Sequence, residues 1–371
     1  MGTIRAAVIP APGADVELRD YREPELEQDS AMLAVEWSEV CGTDVHLQQG
    51  LLAGVPYPLI PGHVTVGHLE RIRGDVRDVN GRALSEGDPV TFLDVHRTCH
   101  QCWYCLVAKA ATRCPERKVY GITYGAEDTL AGGWAEKVYL KPGTHILPLG
   151  AVAPRTYMAG GCGLPTALHA AERAEIELGD TVLVLGTGPV GLSAIALARL
   201  RGAARVLAIG APEGRLEAAA AAGAAATCDF RQLDEEARGD WVRSRSDGRG
   251  ADVTIEATGA PGAVTEAMRY TRDAGRVVVV GQYTDRGETT FNPHLDLNQK
   301  HLDVRGCWGS DFSHFHRAVQ LLSDPVLAKP WAAIPTTDYS LKHAAQALAD
   351  VADGSVVKAL MGPSDQSSGS P

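Results

Sequence analysis

The spacing of apolar residues along this chain changes character near Gly160. Before that point, short apolar or β-favouring runs at 4–9, 31–37, Val64–Ile72 and Pro89–Val95 are separated by polar, Pro-containing connections, a pattern of strands in a mostly β unit. Gly87-Asp88 and Gly132-Gly133 read as turns between them. After Gly160 a helix is predicted that ends near Gly179. The unbroken apolar run Thr181–Leu185 follows, which suits a strand buried on both faces of a parallel sheet. A helical run then occupies Leu192–Leu200. Further strands are expected at Arg205–Ile209, Val253–Glu256, Val277–Val280 and Leu302–Arg305, with an alanine-rich helix at Arg215–Ala222 capped by Gly223. The β-α-β-α alternation predicts an α/β fold class with a doubly wound parallel sheet. Residues 310–362 read as helical with a β-favouring segment near 354–360, and the tail Ser364–Pro371 reads as disordered. The expected division is one domain of 1–160 with 310–371 and a second of 161–309. No repeat of fixed period is present.

Between the strand Thr181–Leu185 and its helix lies G-T-G-P-V-G, Gly186 to Gly191. Strand, glycine turn and helix in this order form a dinucleotide-binding fingerprint. Gly186 permits the tight turn, Gly188 lets backbone approach a pyrophosphate, and Gly191 lets helix pack on strand. Pro189 and Val190 open the helix whose N-terminus then faces the phosphates. An NAD-selective fold places an acid at the end of the second strand for the ribose hydroxyls; here Gly210 stands there. Nothing at that position repels a 2′-phosphate, and Arg215 attracts one or is an ordinary surface charge. Glu213 is the alternative ribose contact. The reading leans to NADP and is written NAD(P).

Candidate metal ligands come in two groups. Cys99, Cys102, Cys105 and Cys114 follow C-x2-C-x2-C-x8-C within a lobe of 96–117. Four thiolates close a tetrahedron and leave no open position, so a structural zinc is expected. Two disulfides or free thiols are the alternative. Cys41 and His63, in C-G-T-D-V-H and P-G-H, suit zinc as a soft thiolate and a borderline imidazole, with Cys162 as a third ligand just before the glycine fingerprint. Thr43 is placed to take a proton from anything bound there. Asp44 is placed to orient a ligating histidine. Metal beside nicotinamide points to hydride transfer. Cys228 and Cys307 read as small buried residues.

Charge and length narrow the partners. The 371 residues carry 35 basic and 46 acidic side chains, a net −11, which argues against general affinity for nucleic acid or anionic membrane. Val182–Leu200 is about the length of a membrane span, but its glycines and Pro189 favour strand, turn and helix. The N-terminus lacks the apolar core of a secretory signal, so a cytoplasmic protein is expected.

Taken together, C-G-T-D-V-H, P-G-H, the four-cysteine lobe, G-C-G-L-P-T and G-T-G-P-V-G, in this order, resemble the zinc-dependent medium-chain dehydrogenase/reductase family, the alcohol dehydrogenases. The resemblance implies a GroES-like, mostly β catalytic domain beside a Rossmann domain, with two Zn²⁺ per subunit. It implies Cys41, His63 and Cys162 as catalytic ligands and Thr43 as proton relay. It implies His46 as the outer relay and Asp44 as the carboxylate behind the histidine. Thr166 is implied against the nicotinamide, with a looser match of Lys358 to a base near the pyrophosphate. It implies an alcohol or carbonyl substrate, secondary or cyclic, and a homodimer or homotetramer. Two departures stand out: Val64 follows His63 where the family has glutamate, and the gap before Cys114 is one residue longer than usual. The rival readings are a C=C or iminium reductase of the same fold and a zinc-stabilised binding protein without turnover. Trp308, Phe312 and Phe315 read as core packing or as a pocket wall.

Overall fold

A computed structural model of the chain describes residues 2–363, so the tail Ser364–Pro371 lies outside the described residues. Contacts group the chain into two units: Met1–Gly161 with Asp311–Pro325 and Thr336–Pro371, and Cys162–Ser310 with Val326–Pro335.

The first unit opens with β1 (Thr3–Val8), β2 (Glu17–Arg22), β3 (Ser30–Val40), α1 (Gly42–Gln48), β4 (Thr65–Arg73), β5 (Pro89–Phe92) and β6 (Val95–Arg97). It continues through α2 (Trp103–Leu106), β7 (Lys118–Val119), β8 (Lys137–Leu140), β9 (Ile146–Pro148) and α3 (Pro154–Gly160). The second unit holds α4 (Gly163–Ala174), β10 (Thr181–Leu185), α5 (Pro189–Leu200), β11 (Arg205–Gly210), α6 (Glu213–Ala221), β12 (Ala226–Asp229) and α7 (Glu235–Arg243). Then come β13 (Ala251–Glu256), α8 (Pro261–Tyr270), β14 (Thr271–Val279) and β15 (Asp303–Gly306). The C-terminal part runs α9 (Phe312–Leu322), α10 (Lys329–Ala332), β16 (Thr336–Ser340), α11 (Ala344–Asp353) and β17 (Lys358–Gly362).

β3 is the hub of the first unit. It pairs antiparallel with β4, β8 and β17 in a seven-stranded sheet. Its side chains alternate between two cores, as the two-residue strand period requires. Ala31, Leu33 and Val35 join Leu69, Val90, Phe92 and Tyr120, whereas Met32 and Val40 join Ile4, Trp134 and Met361. The expected strand Pro89–Val95 is broken. β5 belongs to the large sheet and β6 pairs with β7, because Leu93 N–H donates to His145 and Asp94 C=O accepts from Tyr120.

In the second unit six parallel strands run β12-β11-β10-β13-β14-β15, the doubly wound order with β10 at the centre. β10 is buried throughout, as its unbroken apolar run requires. α4 stops at Ala174, short of Gly179, where Glu175 turns left-handed. β12 and α7 have no counterpart among the predicted elements. Residues 310–362 hold two strands besides their helices, and Val326–Pro335, expected in the first domain, groups with the second unit. The fully buried Trp331 explains the change: its indole N–H donates to Ser193 Oγ of α5 at 3.0 Å. Among the described residues no helix is long and apolar enough to cross a membrane.

Candidate active site

Cys41 lies between the end of β3 and the start of α1. Its sulfur accepts from Thr43 N–H at 3.3 Å, and its own N–H donates to Asp44 Oδ2 at 2.8 Å. His63 precedes β4 and is buried, as is Val64 behind it. Cys162 directly follows Gly161 at the head of α4. One ligand atom from each of Cys41, His63 and Cys162 lies within 4.8 Å of the others. Two thiolates and one imidazole at this separation fit a single Zn²⁺, and three ligands leave a fourth position for a substrate. His63 Nδ1 is buried without a hydrogen-bond partner.

Charge in this pocket is poorly balanced by the side chains alone. Burial acts to lower the His63 pKa, yet the adjacent Cys41 sulfur, with Asp44 and Asp94, raises it to about 10. Burial, and then the charge on Cys41, push the Asp44 carboxyl well above the usual carboxylate range. A positive charge is wanted where the sulfurs converge. A divalent cation satisfies that demand once the imidazole proton leaves.

Asp44 was expected to orient His63. It is fully buried and feels the histidine electrostatically, but the two exchange no hydrogen bond; its Oδ1 has no partner, and its Oδ2 braces the Cys41 backbone. Thr43 and His46 are half-buried and three residues apart on α1, hence on one face. Cys162, which caps α4, and Thr166 and His169 within it are partly exposed among buried neighbours, again along one face. Lys358 is not a surface base: it is buried in β17 and ion-paired with Glu39 of β3. Asp94 and Glu39 are buried carboxylates beside these residues that sequence reading passed over. Glu39 inside β3, and Asp94 in the bend between β5 and β6, each resemble a solvent-facing charge in the sequence.

The four-cysteine lobe is also assembled. Its sulfurs lie within 4.8 Å of one another, and none of the eight cysteines, all among the described residues, is in a disulfide. Cys102 Sγ and Cys105 Sγ are 3.6 Å apart. Tetrahedral Zn–S bonds would set sulfurs roughly 3.8 Å apart. Cys99 N–H donates to Cys114 Sγ and Cys102 N–H to Cys99 Sγ, each at 3.3 Å. Backbone N–H groups, that of Gln101 foremost, hold the Cys99 thiol down at about 7.

At the carboxyl ends of the parallel strands, the glycine turn divides its tasks. Gly186 has φ +102°, which only glycine adopts freely. A Cβ on Gly191 would overlap the Gly186 carbonyl, whereas around Gly188 nothing lies within 4 Å of where one would stand. Gly188 precedes Pro189, the first residue of α5, and Val190 beside it is partly exposed. Gly210 ends β11 with no room for a side chain, because Thr187 fills the space. Thr187 Oγ1 is buried without a partner. The acid near this strand end is Asp229, opposite Gly210 in the sheet register and held below the usual carboxylate range by Arg231. Arg215 sits one turn into α6, partly buried. Trp308 stacks on Tyr283 at 5.6 Å, while Phe315 is core, packed with Leu93 and Leu147.

Comparison with known proteins bears on the same two regions. A family model described as zinc-binding dehydrogenase matches residues 189–324, and one described as alcohol dehydrogenase GroES-like domain matches 27–151. A 5-exo-hydroxycamphor dehydrogenase of Pseudomonas putida is 32% identical over 336 residues, 89% of this chain and 91% of its own. An alcohol dehydrogenase from Thermotoga maritima superposes with TM-score 0.90 at 30% identity, covering 98% of this chain and 100% of that one. A zinc-binding dehydrogenase from Sinorhizobium meliloti, solved with NADP, gives TM-score 0.83 at 26% identity, covering 98% and 100%.

Proposed function

This chain belongs to the zinc-dependent medium-chain dehydrogenase/reductase family of alcohol dehydrogenases, and from that we propose that Cys41, His63 and Cys162 hold a catalytic zinc at which a secondary alcohol is oxidised to a ketone, or the reverse. The protein is an NAD(P)-dependent oxidoreductase acting on CH–OH groups: alcohol and NAD(P)⁺ give carbonyl, NAD(P)H and a proton. The observation that carries the metal reading is the convergence of three ligand atoms within 4.8 Å. The C=C and iminium reductions draw no support from a relative named for a hydroxycamphor.

When bound, zinc supplies Lewis acidity toward the substrate oxygen and the nicotinamide supplies the hydride acceptor. The protein's own residues do the rest. Thr43 takes the hydroxyl proton, and His46, on the same face of α1, passes it toward solvent. Asp44 acts by holding the Cys41 backbone, and so the sulfur, in place. Gly186, Gly188 and Gly191 bring the N-terminus of α5 against the pyrophosphate, with Pro189 and Val190 in its first turn. Thr166, one turn along α4 from Cys162, is the candidate nicotinamide contact.

The finer assignments rest on the same logic. Cys99, Cys102, Cys105 and Cys114 hold a second, structural zinc. NADP is the favoured cofactor: Gly210 offers no acid, Arg231 neutralises Asp229, and Arg215 brings a positive charge to the first turn of α6. Cysteines grouped in metal-binding patterns support a reducing, cytoplasmic setting. Resemblance to two-domain dehydrogenases supports a homodimer or homotetramer.

A panel of secondary and cyclic alcohols, assayed by nicotinamide absorbance with NAD and NADP in parallel, tests the proposal. Turnover is expected with at least one secondary alcohol, and His63→Ala should abolish it while cofactor titration remains unchanged. Substantial turnover in His63→Ala would refute the metal mechanism.

A further inference from the structure

We propose that the buried ion pair between Glu39 and Lys358 is the positioning device of the three-ligand metal site, fixing the segments that carry Cys41, His63 and Cys162 relative to one another. The inference rests on the reading of those three residues as zinc ligands.

The pair is an unlikely purchase for stability alone. The Glu39 and Lys358 side chains are 0% and 1% exposed. Taking two charges out of water costs about as much as their attraction returns, so apolar residues of similar volume would serve the fold as well. What distinguishes this pair is where it sits. In the β17–β3 register Ala359 faces Val40 and Leu360 faces Glu39. The next step along that register sets Lys358 opposite Cys41, and its side chain is the diagonal neighbour of Glu39 on one sheet face. The pair therefore spans the strand end from which Cys41 emerges.

The residues of the pair also reach the other two segments, Glu39 through its backbone and both charges through their side chains. Glu39 N–H donates to Val64 C=O at 3.0 Å, one residue past His63. Gly161 is pressed against the charged groups themselves. A Cβ there would overlap both Lys358 Nζ and Glu39 Oε2, and its backbone takes φ +47°. Gly161 is the residue before Cys162, so the charges fix the peptide that delivers the third ligand. Trp134 Nε1–H donates to Glu39 C=O at 3.0 Å, which locks the strand residue from its other side. The charged groups thus pack on the peptide before Cys162, while the Glu39 backbone bonds the residue after His63 and lies two residues before Cys41.

A positioning role and a purely structural one part company in a double variant. Glu39→Gln leaves Lys358 buried and unpaired, and should lower both melting temperature and metal retention. Glu39→Met with Lys358→Met removes both charges. It should regain most of the lost melting temperature while the three-ligand site remains loosened. Zinc release to a chelator should run faster than in the wild type, with zinc affinity lower by about 10- to 100-fold, the range seen when groups supporting metal ligands are removed. In the cobalt(II)-substituted protein, the visible bands abolished by His63→Ala should shift in the double variant. A double variant with wild-type release rate and wild-type cobalt bands would overturn the inference and leave the zinc assignment standing. A wild-type cobalt spectrum untouched by His63→Ala would overturn the zinc assignment itself, and the inference with it.

Discussion

Two alanine substitutions three residues apart should fail in opposite ways. At Gly191 a new methyl would stand 2.8 Å from the Gly186 carbonyl carbon and closer still to its oxygen, so α5 must move off β10. Overpacking of this kind costs roughly 1–3 kcal/mol. For a unit of this size each kcal/mol lowers the melting temperature by about 2–4 °C, giving a fall of about 2–12 °C. At Gly188 the backbone is extended, with φ −77° and ψ −180°, and nothing lies within 4 Å of a new Cβ. The unliganded protein should melt as before. That open space is where a pyrophosphate must approach the backbone. Losing one charge-assisted hydrogen bond costs about 1.5–3 kcal/mol, so the cofactor Kd should rise roughly 10- to 100-fold. Thermal melts without cofactor and titration of reduced nicotinamide fluorescence separate the two effects. A Gly188→Ala protein that binds cofactor normally would refute the reading of this turn as a phosphate cradle. One that melts as low as Gly191→Ala would refute the open geometry.

Three further expectations concern the other elements. Cys102→Ser should remove one equivalent of zinc and lower thermal stability, while hydride chemistry persists in whatever stays folded; unchanged metal content, measured on the purified protein, would remove the structural site. Thr43→Val should slow turnover and leave metal content unchanged, and a wild-type rate would exclude Thr43 from the relay. Asp311 caps α9 through Ser313 N–H at 2.9 Å, and the His314 ring beside it, then Ser313, hold its carboxyl below the usual range. A depressed folded-state pKa stabilises above the unfolded value and is lost as pH falls toward the folded one. The advantage of wild type over Asp311→Asn in thermal melts should therefore be constant near neutrality and shrink below about pH 4; a gap that widens there would reverse the sign. Asp311→Ala should cost about 0.5–2 kcal/mol as a lost helix cap.

What could be read from the chain follows from how local each signal is. β10 was legible because a strand covered on both faces has no polar position to interrupt it, and α5 because Gly-x-x-Gly and proline mark its start. β12 escaped notice since A-T-C-D is short and half polar at a sheet edge. α7 escaped because its buried stripe is reduced to Gly239 and Val242 amid charged residues. The C-terminal region looked helical because α9 and α11 outweigh the intervening strands, and β17 begins on a lysine. Asp44 lies near Cys41 and His63, but which group it braces depends on rotamers that no spacing encodes.

The ligands and their supports differ in the same respect. Cys41 caps α1, His63 precedes β4 and Cys162 heads α4, so each of these three proposed ligands stands where a regular element begins. At such ends the repeating pattern stops, and an unusual residue is conspicuous in its own short motif. Glu39 and Lys358 lie inside β3 and at the start of β17, separated by 319 residues. Each alone reads as a solvent-facing charge on a strand, because leaving it in water is by far the cheaper choice for a single ion. Burial becomes tolerable only when the opposite charge arrives from the far end of the chain, after the sheet has closed. The proposed ligands are therefore visible one at a time, while the charges proposed to hold them in register become visible only as a pair.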